Sequence, residues 1–273
     1  MNQAKVLNFF GLLLIMFGIS FAIPLFVAIF YGESLIRVFG LGMSILVLMG
    51  FLSWFFTKDN KQELSLSDGF VITVLFWIVL SVSGSIPFIL FGFGVVDSFF
   101  ESMSGITTTG ATVIAGLDDL PKSLLIYRQL LQWLGGMGLI VLAIAVMPLL
   151  GIGGGQLFKT QTPGPMSEQR LTPRITSTAR ALWSIYFVLT VLCIFAYRLA
   201  GMSYFDAVSH AFSTVSIGGF STHDLSIGFF DSLSIEIVCI TFMLLSAMSF
   251  AVHYSAIYRK QVLKYFYDPE LRF

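Results

Sequence analysis

Two short stretches of this sequence, "TTTGA" at 107–111 and "SIGGF" at 216–220, join glycine to small or hydroxyl-bearing residues. The chemistry such a loop can do is to bind a bare cation. Its ligands are backbone carbonyl oxygens, which replace the ion's hydration shell. Glycine supplies the positive φ, or the close carbonyl spacing, that turns these oxygens toward a common axis. The residues assigned to this role are Thr107, Thr108, Thr109 and Gly110 in the first loop, and Ser216, Ile217, Gly218 and Gly219 in the second. A hard monovalent cation is the ion expected at these eight positions, which are read together as a selectivity filter. Asp118, Asp119 and Asp224 follow the loops. Carboxylates at a cation entrance raise the local cation concentration, although turn-forming aspartates in a solvated loop account for them equally well.

The two loops are copies of one design. Sliding the sequence against itself by 109 residues lays "GFGVVDSFFESMSGITTTGAT" (92–112) on "GMSYFDAVSHAFSTVSIGGFS" (201–221) without a gap. Asp97 meets Asp206, Ser104 meets Ser213, and Gly110 meets Gly219. A polar turn between helices would explain the glycines and threonines, but neither the apolar dozen residues before each loop nor the repetition.

The elements that must hold these loops are membrane helices. The 273-residue chain is 56% hydrophobic and 11% charged, with a mean hydropathy of +0.89. Soluble domains carry about 25% charged residues, so this surface is too apolar for water. Full-length spans are expected at 6–31, 35–56, 69–93, 124–150, 181–201 and 231–257, because a helix crosses the hydrocarbon core in about 20 residues. The pieces near 95–106 and 204–215 are too short to cross and suit re-entrant half-helices. Eleven of the fifteen Lys and Arg fall inside when the N-terminus is cytoplasmic, leaving Arg37, Lys122, Arg128 and Arg198 outside. Both termini are then cytoplasmic, and both loops open outward.

Other chemistries find no support. The three histidines, His210, His223 and His253, are far apart in sequence and lack metal-ligand spacing. No nucleophile motif stands in a suitable context, and the glycines of 151–155 lack phosphate-loop spacing. The chain is therefore read as no enzyme, needing no cofactor. Its zero net charge gives no reason to expect nucleic acid. Glu101 and His210, equivalent in the repeat, are expected to make packing hydrogen bonds behind the loops. Arg128 and Glu236 are expected to ion-pair or snorkel near the outer surface. Trp133 with Gly135, Gly136 and Gly138 marks a close helix approach. Cys193 and Cys239 read as small core residues.

The segments "FFESMSGITTTGATV", "YRQLLQWLGGMGLIVLAIAVMPLLGIGGGQL", "PGP", "LTPRI", "FDAVSHAFSTVSIGGFSTHDLSIGFFDS" and "YDPELRF" resemble the Trk/Ktr/HKT superfamily of potassium-uptake proteins, in its TrkH branch. The resemblance implies an all-α fold with two N-terminal transmembrane helices (1–57) and two potassium-channel-like helix–pore loop–helix repeats (69–150 and 180–258). A cytoplasmic linker (151–179) and a cytoplasmic tail (259–273) complete the division. It implies K+ uptake across the inner membrane of a bacterium, alone or coupled to Na+ or H+, with a TrkA-type nucleotide-binding regulatory subunit as partner. The family's pore has four filter loops and this sequence has two. The chain is thus expected to be the N-terminal half of such a protein, needing a second copy or the missing C-terminal half to conduct. The alternative is a half-transporter serving only as a non-conducting assembly subunit.

Overall fold

The computed structural model describes residues 3–58, 66–146, 175–248, 250–258, 261 and 263–267. The "PGP" segment and most of the linker, of "LTPRI" and of "YDPELRF" lie outside these. The described residues form helices joined by loops. They are α1 (Gln3–Ser20), α2 (Ala22–Tyr31), α3 (Ile36–Thr57), α4 (Leu66–Phe91), α5 (Val95–Ile106), α6 (Lys122–Val146), α7 (Ile175–Leu199), α8 (Tyr204–Val215), α9 (Leu233–Ala247), α10 (Phe250–Tyr258) and α11 (Lys264–Tyr267). The long helices are apolar on every face. Phe10, Leu13 and Phe17 of α1 are buried while Met16 and Ile19 are exposed, and Phe56 is 79% exposed. Such a pattern suits lipid rather than water.

Among the described residues, four stretches are long and apolar enough to cross a membrane: Gln3–Tyr31, Ile36–Thr57, Asp68–Phe91 and Ala181–Leu199. The sequence suggested six. Helix α6 runs for 25 residues, and its first half carries Arg128, Gln129 and Gln132, all fully buried. The segment expected to cross at 231–257 is divided into α9 and α10. Met248 is extended (φ −64°, ψ 145°), and the Leu245 carbonyl freed by the break accepts from His253 Nε2 at 2.8 Å. The first span also breaks, at Phe21. Pro24 has no N–H with which to continue the α1 ladder, and Leu25 N resumes the pattern at Phe21 O, 3.0 Å.

Helices α1 and α3 touch backbone to backbone. A Cβ on Gly11 would lie 2.8 Å from Gly50 O, and one on Gly50 would lie 2.6 Å from Gly11 O. Ser53 Oγ donates to Leu7 O at 2.9 Å across the same seam. This pair is fastened to α6. Glu33, in the turn between α2 and α3, accepts from Lys122 N (2.7 Å), Ser123 N (3.1 Å) and Ser123 Oγ. A carboxylate there satisfies first-turn donors and meets the positive end of the helix dipole. Tyr127 of α6 then sits among Phe21, Phe39 and Phe88, with ring centroids 5.2–5.4 Å away, and donates to Gly84 O at 2.7 Å. A second core joins α7, α8 and α9 through Tyr186, Cys193, Tyr197, Ala207, Ala211 and Ile235.

Candidate functional site

The two short helices are α5 and α8, each of 12 residues. Asp97 and Asp206 occupy their first turns, and Ser203 caps α8 by accepting from Asp206 N at 3.1 Å. Each helix therefore ends with its negative dipole end at a loop. The loops leave the helices by the same bonds. Thr108 N and Ile217 N donate to Gly105 O and Thr214 O (3.0 and 3.1 Å), while Thr109 N and Gly218 N donate to Ser104 O and Ser213 O (2.9 and 2.8 Å). Backbone signs repeat as well. Thr107 and Ser216 have φ of −84° and −81°, Thr108 and Ile217 +54° and +53°, and Gly110 and Gly219 +77° and +85°. Positive φ is a true outlier for β-branched residues and costs about 1–3 kcal/mol each. Strain paid twice at equivalent positions marks these turns as built rather than incidental.

The structure brings the two candidate loops together at Gly110, Gly218 and Gly219. A Cβ on Gly110 would fall on the Gly218 carbonyl oxygen, and one on Gly219 would lie 4.0 Å from Gly110 Cα. Helix α6 stands behind both loops. Gln132 donates from Nε2 to Gly218 O (2.6 Å) and accepts from Phe220 N (3.0 Å). The glycines at 135 and 136 let α6 approach. A Cβ at Gly135 would clash with the Ile106 carbonyl, and one at Gly136 would lie 3.1 Å from Ser216 Cβ.

Arg128 is fully buried, which rules out snorkelling. Its Nε meets Glu101 Oε1 at 2.7 Å, and neither side chain is exposed. Its Nη2 donates to Thr112 Oγ1 and its Nη1 to Ser221 O, both at 3.0 Å, and its guanidinium lies 4.4 Å over the Phe220 ring. One side chain thus ties the first loop to the second. Glu101 also accepts from Thr112 Oγ1 (3.0 Å) and Val113 N (3.2 Å). Its repeat partner His210 does the corresponding job. Nδ1 donates to Asp206 O (2.9 Å), so Nε2 accepts from Ser221 Oγ at 3.0 Å. Glu236 is exposed in the first turn of α9.

Beyond the two turns, Asp118 and Asp224 join the loops to each other. Asp224 accepts from Gly116 N and Leu117 N, each at 3.1 Å. Asp118 accepts from His223 Nδ1, and this bond is the main reason its carboxyl is held below the usual carboxylate range. His223 stacks on Phe229 with centroids 3.5 Å apart. Its Nε2 is 3.4 Å from Asp206 Oδ1, within ion-pair range but outside hydrogen-bond geometry. Asp119 makes no side-chain hydrogen bond among the described residues. The histidines are less scattered than their spacing suggested, with His210 and His223 rings 6.5 Å apart and nearly parallel. No group of three metal-ligating side chains occurs among the described residues. Sequence reasoning gave no role to Gln132, Asp206, His223 or Glu33. For Gln132 a signal existed: polar residues four apart, Arg128 and Gln132, on one face of a membrane helix.

Fold and site together define an all-helical, multi-pass membrane protein in which two copies of a helix–half-helix–loop–helix unit bring strained loops into contact. Residues 35–272 match the family model "TrkH: Cation transport protein", and the chain belongs to that family. It is 49% identical over 276 residues to the "Trk system potassium uptake protein TrkH" of Halomonas elongata, covering 100% of this chain and 57% of that relative. It is 46% identical over 266 residues to the "Trk system potassium uptake protein TrkG" of Escherichia coli (strain K12), covering 96% and 55%. The fold matches the crystal structure of the potassium transporter TrkH from Vibrio parahaemolyticus with a TM-score of 0.86 at 46% identity, covering 100% of this chain and 56% of that one. The chain spans a little over half the length of these relatives.

Proposed function

We propose that the paired loops are two sectors of a potassium-selective filter, and that the chain serves K+ uptake through a Trk-type system, as its relatives' names describe for them. One observation carries the reading: the φ alternation of 107–110, reproduced at 216–219, with Gly110 set against Gly218 and Gly219. Alternating signs turn the carbonyls to one side of the chain, where they can replace water around a monovalent cation; Gly218 O is the exception, being taken up by Gln132 Nε2. The α5 and α8 dipoles favour a positive charge at the same place. Asp118, Asp119 and Asp224 lend the outer mouth negative potential. The termini are assigned to the cytoplasm, 1–57 to a bracing pair, and 69–150 and 180–258 to the pore units. A membrane potential of 100 mV contributes about 2.3 kcal/mol per charge, roughly a fiftyfold concentration ratio, so uptake needs no cofactor on this chain. Coupling to Na+ or H+ is compatible with the same site. The regulatory partner of this reading is a TrkA-type nucleotide-binding subunit on the cytoplasmic face.

Two loops line half of a four-loop ring, and further loops come from a second copy or from additional polypeptide. That same count favours a second reading, a non-conducting assembly subunit. Ion flux into proteoliposomes made from membranes of producing cells separates the two. The filter reading expects K+ uptake over Na+, with Gly110→Ser and Gly219→Ser each lowering the ratio. Silent vesicles favour the assembly subunit, and flux with unchanged ratios in both variants removes the filter assignment.

A further inference from the structure

The second loop is clamped from behind, and its twin is not. The two bonds of Gln132 bracket Gly219, fixing the peptide planes on either side of a residue with φ +85°. A primary amide can do this because it carries a donor and an acceptor in one plane, meeting the Gly218 C=O and the Phe220 N–H together. The fit is close, since a Cβ on Gly218 would overlap the Gln132 amide. One helical turn earlier Arg128 holds Ser221 O. In the first loop the equivalent groups are Thr109 O and Ala111 N. Among the described residues nothing reaches either, and both residues are exposed where Gly218 and Phe220 are buried.

We propose that Gln132 is a specificity-determining positioning residue, whose amide holds the Gly218–Phe220 backbone at a spacing that accepts K+ and resists contraction onto the smaller Na+. It acts through the loop and touches no ion. Inward movement of the loop oxygens would stretch both Gln132 bonds and leave buried backbone groups unpaired, which is costly. The inference rests on the filter reading above.

The test is the K+/Na+ uptake ratio of the full-length protein in proteoliposomes, with Gln132→Met as the shape-matched apolar variant. The expected result is a ratio lowered about tenfold with an unchanged gel-filtration profile in detergent. Gln132→Glu, which keeps only the acceptor for Phe220 N, should fall between. A wild-type ratio in Gln132→Met overturns the proposal, as does equal loss of both fluxes. Should Gln132→Met fail to accumulate, Gln132→Glu is judged by the same ratio. Gly219→Ser separates the two readings. If it shifts the ratio and Gln132→Met does not, the filter stands and the clamp falls. If neither shifts it, both fall.

Discussion

The Glu101–Arg128 pair should behave as one unit whose halves cannot be removed separately without large loss. Glu101→Gln is nearly isosteric and keeps an acceptor for Val113 N, so what it removes is charge. Arg128, with no exposed surface, would retain Thr112 Oγ1, the Ser221 carbonyl and the Phe220 face but lose its counterion. Breaking one side of a buried ion pair costs about 3–5 kcal/mol, and the surviving contacts place this case near 3 kcal/mol. Arg128→Met leaves Glu101 with the Thr112 hydroxyl and Val113 N–H, and a similar cost of about 3 kcal/mol is expected. The double variant leaves no uncompensated charge. It should therefore lose less than the singles combined, with a coupling energy of about 2 kcal/mol. Reversible unfolding by SDS in mixed micelles, followed by helical circular dichroism, measures all four corners of the cycle. Additive single effects would refute the reasoning, because they would mean each side chain is held by its other partners alone.

Two further outcomes follow from the loops. Thr108→Gly and Ile217→Gly should each raise stability by about 1 kcal/mol in the same assay, as relief of positive-φ strain outweighs glycine's chain entropy; a loss would show the turns to be unstrained. The lowered Asp118 carboxyl contributes stability above its ordinary titration range, and that contribution is lost as pH falls through the depressed value. Asp118→Asn should therefore flatten the acid limb of the unfolding profile.

The parts of this fold that depend on local chain chemistry were legible in the sequence. Both half-helices, 95–106 and 204–215, coincide with α5 and α8, because a dozen apolar residues ending at Gly-rich polar loops admit few other structures. The repeat offset carried further than secondary structure, since Glu101 with Thr112 and His210 with Ser221 make equivalent contacts 109 residues apart. Contacts between units were not legible. Arg128 sits close enough to a span end to pass for a snorkelling residue, and only its partner on α5 reveals its burial. The division of α9 from α10 has no Pro or Gly to announce it and depends on His253 reaching back to Leu245. Asp118 and Asp224 read as an entrance, but their partners, His223 and the Gly116–Leu117 amides, come from the opposite loop.

The attachment of Glu33 to the head of α6 gives the N-terminal hairpin mechanical reach beyond its own packing. Helix α6 is pinned at one end by that carboxylate and gripped along its flank by both loops, so it acts as a shared axle. A shift of that hairpin would tilt the axle, and the displacement would arrive at the two loops in concert, never at one alone.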